Sequence, residues 1–241
     1  MTEQKIDRRR RYHIVLDVET TNTIDDPLVY DVGFAVIDRT GNIYEEHSFV
    51  ISEIFFGEHE LMKSAYYAEK LPQYYADLAT GNRTEISFWK LKRLFANIVK
   101  KYRVSDVYAY NAYFDLNALN TTARYLTKSK IRYFFPYGMD IFCIQHIACQ
   151  TILQQKSYFA FAIQNNLYSP KGKLSTTAES AFKYISGNIN FEEKHTGLED
   201  VHIEAKILAK CLRQHKSIKR NINRGAWNLP QKKFKEFQKT A

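Results

Sequence analysis

The stretch YHIVLDVETTN, residues 12–22, decides the fold. Ile14, Val15 and Leu16 run without polar interruption into Asp17 and Glu19, which have only Val18 between them. Such a run reads as a central strand, covered on both faces. Alternate residues of a strand share a face, so Asp17 and Glu19 point the same way at its end. Two neighbouring carboxylates repel, and one takes up a proton unless a cation lies between them. A hard divalent ion such as Mg²⁺ or Mn²⁺, which prefers oxygen ligands, removes the conflict. Two acids at a solvated strand end give the same pattern, and D-x-E alone does not choose.

Outward from this strand, Tyr30 to Asp38 (YDVGFAVID) and Tyr44 to Ile51 (YEEHSFVI) are β-rich and are joined through RTGN, where Gly41 and Asn42 supply a turn. Three successive strands predict an antiparallel meander. Helical spacing covers 58–79 and 86–102, the latter with Phe88, Leu91, Leu94, Phe95 and Ile98 on one stripe. A short strand from Asp106 to Tyr110 then leads into a helix from Phe114 to Leu126, the βα logic of a parallel sheet. Asp140 reads as the cap of a helix over Ile141 to Leu153. Further helices are expected over Ser175 to Ile185 and from Leu198 to His215. Residues 52–86, rich in tyrosine, read as core packing rather than as a stacking surface for bases.

With 241 residues and 45% apolar content, the chain has the material for one large α/β domain or two small ones. No run approaches the roughly 18 apolar residues of a membrane span. Arg8 to Arg11 are followed by too few apolar residues for a signal-peptide core, so a cytoplasmic, non-secreted protein with no membrane partner is expected. Cys143, Cys149 and Cys211 form no C-x-x-C pair and predict reduced, buried thiols. The net charge of +9 is carried by the ends. Residues 1–11 hold five basic and two acidic side chains, residues 216–241 hold eight and one, and residues 12–215 come out at −1. We therefore divide the chain into a basic N-terminal arm (1–11), a domain (12–215) and a basic C-terminal tail (216–241). The ends are candidates for phosphate contact by counterion release, or are solvated tails.

Acids gather in two further places. In AYNAYFDLNAL, residues 109–119, Asp115 lies in the first helical turn, where a carboxylate is also favoured by the helix dipole alone. In KHTGLEDVHIEAKIL, residues 194–208, Thr196 and Glu199 fit an S/T-x-x-E capping box, which puts Asp200 in the first turn and His195 just outside it. A histidine beside a carboxylate cluster is a candidate base.

Asp17-Val18-Glu19, then Asn111-Ala112-Tyr113-Phe114-Asp115, then His195 with Asp200, resemble in this order the three motifs of the DnaQ-like DEDDh 3′–5′ exonucleases: D-x-E, N-x-x-F-D and H-x-x-x-x-D. The resemblance spans residues 12 to 212. It implies an α/β fold of the ribonuclease H-like type, with a mixed sheet of three antiparallel strands and then parallel ones, flanked by helices. Further implications are two Mg²⁺ or Mn²⁺ ions held by Asp17, Glu19, Asp115 and Asp200, with His195 as general base. Thr20, Asn111 and Phe114 are the implied substrate contacts, Thr20 touching the terminal nucleotide. The implied activity is hydrolysis of DNA or RNA from single-stranded 3′ ends to nucleoside monophosphates. A catalytically weak nucleic-acid-binding module of the same fold is the alternative. Trp227, Phe234 and Phe237 in the tail are candidates for docking on the domain itself or on a partner such as a polymerase or replication protein, in which case proofreading would act in trans. Two positions depart from the family pattern: Asn22 where glycine is frequent, and Gly197 where alanine is usual.

Overall fold

The protein is described by a computed structural model over residues 6–127 and 132–239; the rest of the basic arm, residues 1–5, and the last two residues of the tail lie outside it. β1 (Tyr12–Asn22), β2 (Pro27–Asp38) and β3 (Ile43–Ile51) form the expected meander. Short helices α1 (Ser52–Phe55), α2 (His59–Lys63) and α3 (Leu71–Thr80) lead to strand β4 (Thr84–Ile86) and helix α4 (Phe88–Tyr102). There follow β5 (Asp106–Ala109), α5 (Ala112–Tyr125), β6 (Asp140–Cys143), α6 (Ile144–Gln150), α7 (Lys156–Gln164), α8 (Ala178–Ser186), α9 (Gly197–Leu212) and α10 (Gln231–Gln238). The strand order is β4-β3-β2-β1-β5-β6, with β1 antiparallel to β2 and parallel to β5. This is an α/β, ribonuclease H-like mixed sheet: three antiparallel strands, then parallel ones, flanked by helices.

The two-residue period of β1 sorts its side chains between two cores. Ile14, Leu16 and Val18 enter the core built with Phe88, Leu91 and Phe95 of α4 and with Ala118 and Leu119 of α5. Val15 enters the opposite core, with Ile144 and Ile147 of α6 and Val201, Ala205 and Leu208 of α9. Both faces are thus covered, and the run is apolar throughout for that reason. The odd-numbered side places Asp17 and Glu19 on the α9 face.

Several elements differ from expectation. The expected helix over 58–79 is broken after Lys63 and resumes at Leu71, with Pro72 in the first turn of α3. Proline fits a first turn but removes a backbone donor from a helix interior, so it restarts the helix here. Asp140 caps no helix: it opens β6, where its backbone N–H donates to Ser105 O at 2.9 Å. Ile141, Phe142 and Cys143 pair with β5, and α6 begins only at Ile144. The apolar run carried no signal that separated a buried strand from a helix start. The edge strand β4, only three residues long, has no pattern of its own. Of the tyrosine-rich 52–86, Tyr74 is buried while Tyr66 is 84% exposed. The cysteines are free and buried as expected.

Candidate active site

Each acid reaches the site by a local device. β1 carries Asp17 and Glu19, and immediately after Glu19 the pairing with β2 slips, leaving Tyr30 as an extra residue opposite. The β-bulge re-aims the chain beyond the acids. The strand leaves at Asn22, whose φ of 71° is the left-handed turn that asparagine tolerates in place of glycine. α5 starts from Asn111, also left-handed at φ 66°, and its first turn presents Phe114 and Asp115. At α9 the N-cap is Thr196, as expected, but the capping box is not the one expected. The carboxylate of Asp200, not Glu199, accepts the Thr196 backbone N–H at 3.1 Å, while the Thr196 hydroxyl donates to Glu199 at 2.8 Å. That exchange fixes Asp200 at the helix start.

A buried polar group anchors the same turn. Asp31, opposite Glu19 in the β1–β2 register, accepts Gly197 N–H at 2.9 Å and the Tyr74 hydroxyl at 2.8 Å, and is paired with the Arg83 guanidinium. Glycine at 197 follows from contact: a Cβ there would stand 2.5 Å from Gly33 N, and one on Gly33 would stand 2.1 Å from Leu198 N. The backbones of β2 and α9 touch.

These devices converge on a cleft of about 290 Å³ lined by Asp17, Glu19, Phe114, Asp115, His195 and Asp200, all expected from the sequence, together with Glu193, Glu204, Tyr67, Tyr110 and Gln145. Thr20 and Asn111 do not line it: Thr20 follows the bulge and Asn111 makes the turn into α5. Glu204 is 2% exposed, and its Oε2 accepts Tyr110 N–H at 3.2 Å. It was legible in principle, since it follows Asp200 by four residues on one helix face. Tyr67 was not: its ring stacks on His195 at 4.6 Å and 11°, a contact between distant segments.

The cleft is overloaded with acid. Burial pushes Asp17 well above the carboxylate range, reinforced by the charges of Glu204 and Asp115. Burial also raises Glu19 to about 9, with Asp31 adding to it, and Asp115 to about 8 against hydrogen bonds from the backbone. Asp200 rises to about 7, by burial and then by Glu193, and Glu193 itself rises to about 7. Glu204 is pushed well up by burial and by Asp115. Against this, His195 is lowered, first by burial and then by the Lys70 ammonium, which favours the neutral imidazole.

The donor set fits a hard cation. The Oδ2 of Asp17 is buried without a hydrogen-bond partner among the described residues, an expensive state for a carboxylate unless a cation meets it. Ligand atoms of Glu19, His195 and Asp200 lie within 4.8 Å of one another. A hard divalent ion takes the oxygens in preference and leaves the imidazole free to accept a proton.

No family model matches the sequence, and no curated protein does. Among solved structures, the chain is similar to the zinc ion-bound form of the E. coli ExoI–ssDNA complex at 12% identity and a TM-score of 0.45. The match covers 83% of this chain and 41% of that one, so the chain spans well under half the length of the protein it matches. Among the described residues no helix is long and apolar enough to cross a membrane.

Proposed function

We propose that the chain is a divalent-metal-dependent 3′–5′ exonuclease of the DnaQ-like DEDDh type, releasing nucleoside monophosphates from single-stranded ends of DNA or RNA. The observation that carries this reading is the buried Asp17 Oδ2, without a hydrogen-bond partner among the described residues, in a cleft where Glu19, Asp115 and Asp200 are all pushed towards protonation by burial. Asp17, Glu19, Asp115 and Asp200 would hold two Mg²⁺ or Mn²⁺ ions, which supply Lewis-acid stabilisation of phosphate charge and lower the pKa of water.

The remaining work falls to the protein. His195, kept neutral by burial and by Lys70 and held in plane by Tyr67, accepts the proton of the attacking water at a ring nitrogen. Thr196 N–H holds Asp200 in orientation, and Glu204 ties α9 to the backbone of Tyr110 beside α5. Phe114 offers an apolar wall for the terminal base, and Thr20, just after the bulge, is the residue that the family resemblance assigns to the terminal nucleotide.

The test uses 5′-labelled single-stranded DNA and RNA with Mg²⁺, with chelator, and with Asp115→Asn. Stepwise shortening from the 3′ end, abolished by chelator and reduced about a thousandfold or more by the substitution, is the expected result. Strands bound yet intact under all three conditions would overturn the enzyme reading in favour of a binding module of the same fold.

A further inference from the structure

The segment after α9 is held in place more firmly than a solvated basic tail needs. The buried His146 ring of α6 donates through Nδ1 to Asn221 O at 2.8 Å. Gln150 exchanges two hydrogen bonds with Lys219, to its carbonyl and from its N–H, each of 2.8 Å. Ile222 then packs beside Ala109, Ala112 and Cys143, at the junction of β5, α5 and β6. The product of this anchorage is the placement of Arg224. Its guanidinium carbon lies 4.3 Å from the ring centroid of Tyr113, which is 42% exposed in the first turn of α5, next to Phe114 of the acid cleft.

We infer that Arg224 and Tyr113 form a platform for a single strand of nucleic acid, on which a base stacks against the outer guanidinium face while the guanidinium edge meets a backbone phosphate. The inference rests on the nuclease reading above. An acidic cleft repels a polyanion, so a phosphodiester chain enters only past cations fixed at the rim. Arginine suits both tasks, because its plane stacks and its N–H groups bond phosphate in one geometry, which a lysine ammonium cannot do. An exposed cation–aromatic pair contributes little to the fold, so the anchorage exceeds what the pair itself needs.

The test measures anisotropy of a labelled oligothymidylate of about twelve nucleotides, in chelator, over a range of salt. Arg224→Ala weakens binding about tenfold and lowers the slope of log affinity against log salt by about 0.7, the contribution of one phosphate contact to a single strand. Arg224→Lys keeps the slope and still weakens binding, whereas Tyr113→Leu weakens it with the slope unchanged. Lys232→Ala, on the outer side of α10, changes the affinity by less than about twofold. Wild-type affinity in Arg224→Ala, or an equal loss in Lys232→Ala, would overturn the platform, as would a wild type that binds no strand. Cleavage of the same strand with Mn²⁺ separates the two readings. Binding that depends on Arg224 without any cleavage sinks the nuclease and leaves the platform. Cleavage with the KM of Arg224→Ala equal to that of wild type does the reverse.

Discussion

On the proposed reading His195 and Asp17 carry the chemistry at the residue scale, and burial shifts the protonation of both. His195 sits on a left-handed backbone at φ 52°, strained for a side chain with a Cβ and held there by the Tyr67 stack and the first turn of α9. Its pKa is depressed, so as a general base it is already deprotonated below the ordinary histidine value of about 6.5. The acidic limb of kcat/KM therefore falls below pH 6.5, and removing the Lys70 charge by Lys70→Met moves that limb upward. A pH–rate profile of the two proteins checks both shifts. The acids work in the opposite sense on stability. Their folded-state pKa values are raised, so the native state binds more protons than the unfolded chain. Their contribution is full below about pH 4 and is lost as pH rises through their raised folded-state values, about 7 for Asp200 and Glu193, about 8 for Asp115 and about 9 for Glu19. In chelator the melting temperature should thus fall from pH 5 to pH 8, each kcal/mol lost appearing as about 2–4 °C. Mn²⁺ should remove most of that slope, and Asp17→Asn should flatten it without metal. A melting temperature in chelator that rises over this window would contradict the assignment.

At the scale of elements, the start of α9 is where β2 and the site meet. Gly33 and Gly197 let two backbones touch, and Asp31, Tyr74 and Arg83 lock the contact with a hydrogen bond to Gly197 N–H. Replacing glycine by alanine within a helix ordinarily gains roughly 1 kcal/mol. Here the sign reverses, because the added Cβ would meet Gly33 N at 2.5 Å and neither partner is a flexible side chain. Gly197→Ala is expected to cost about 1–3 kcal/mol in a denaturant titration and to lower activity by shifting Asp200 and His195 together. The alanine usual in the resembling family is thus excluded in this chain by the neighbouring strand.

Across the whole molecule, the C-terminal segment completes the second core. Phe234 is fully buried, 5.5 Å from Phe159, and Phe237 lies 5.7 Å from the same ring. Trp227 lies beneath the Lys173 ammonium at 4.7 Å. Of the two readings of these aromatics, docking on the domain is the one observed: Phe234 is buried, Trp227 and Phe237 are half-buried, and the lysines of α10 face outward. Phe234→Ala should cost about 3–5 kcal/mol, measured as a lower denaturation midpoint with an unchanged slope. Removal of residues 216–241 should destabilise the domain rather than simply release a tail.

Periodicity and local chemistry were enough to read the meander, the βα alternation and the helix start at Thr196, because each of these signals lies within a few residues of chain; α5 begins at Ala112, two residues before the expected Phe114. Asp17, Glu19, Asp115, His195 and Asp200 were singled out as a set only by the order of three motifs, each weak by itself, and all five line the cleft. What joins distant segments was not legible there. The strand identity of Ile141 to Cys143 depends on pairing with β5, and the stack of Tyr67 on His195 depends on how residues 64–70 leave α2. The Asp31–Arg83 anchor depends on the register of β2 against β1, and the position of Arg224 over Tyr113 on the strapping of the last segment to α6. The sequence alone determined where the acids and His195 stand relative to their strand and helix starts, since strand and helix periods are local properties of the chain. Only the tertiary structure decided that they share one cleft, and what holds them there, because contact and burial are properties of segments brought together from afar.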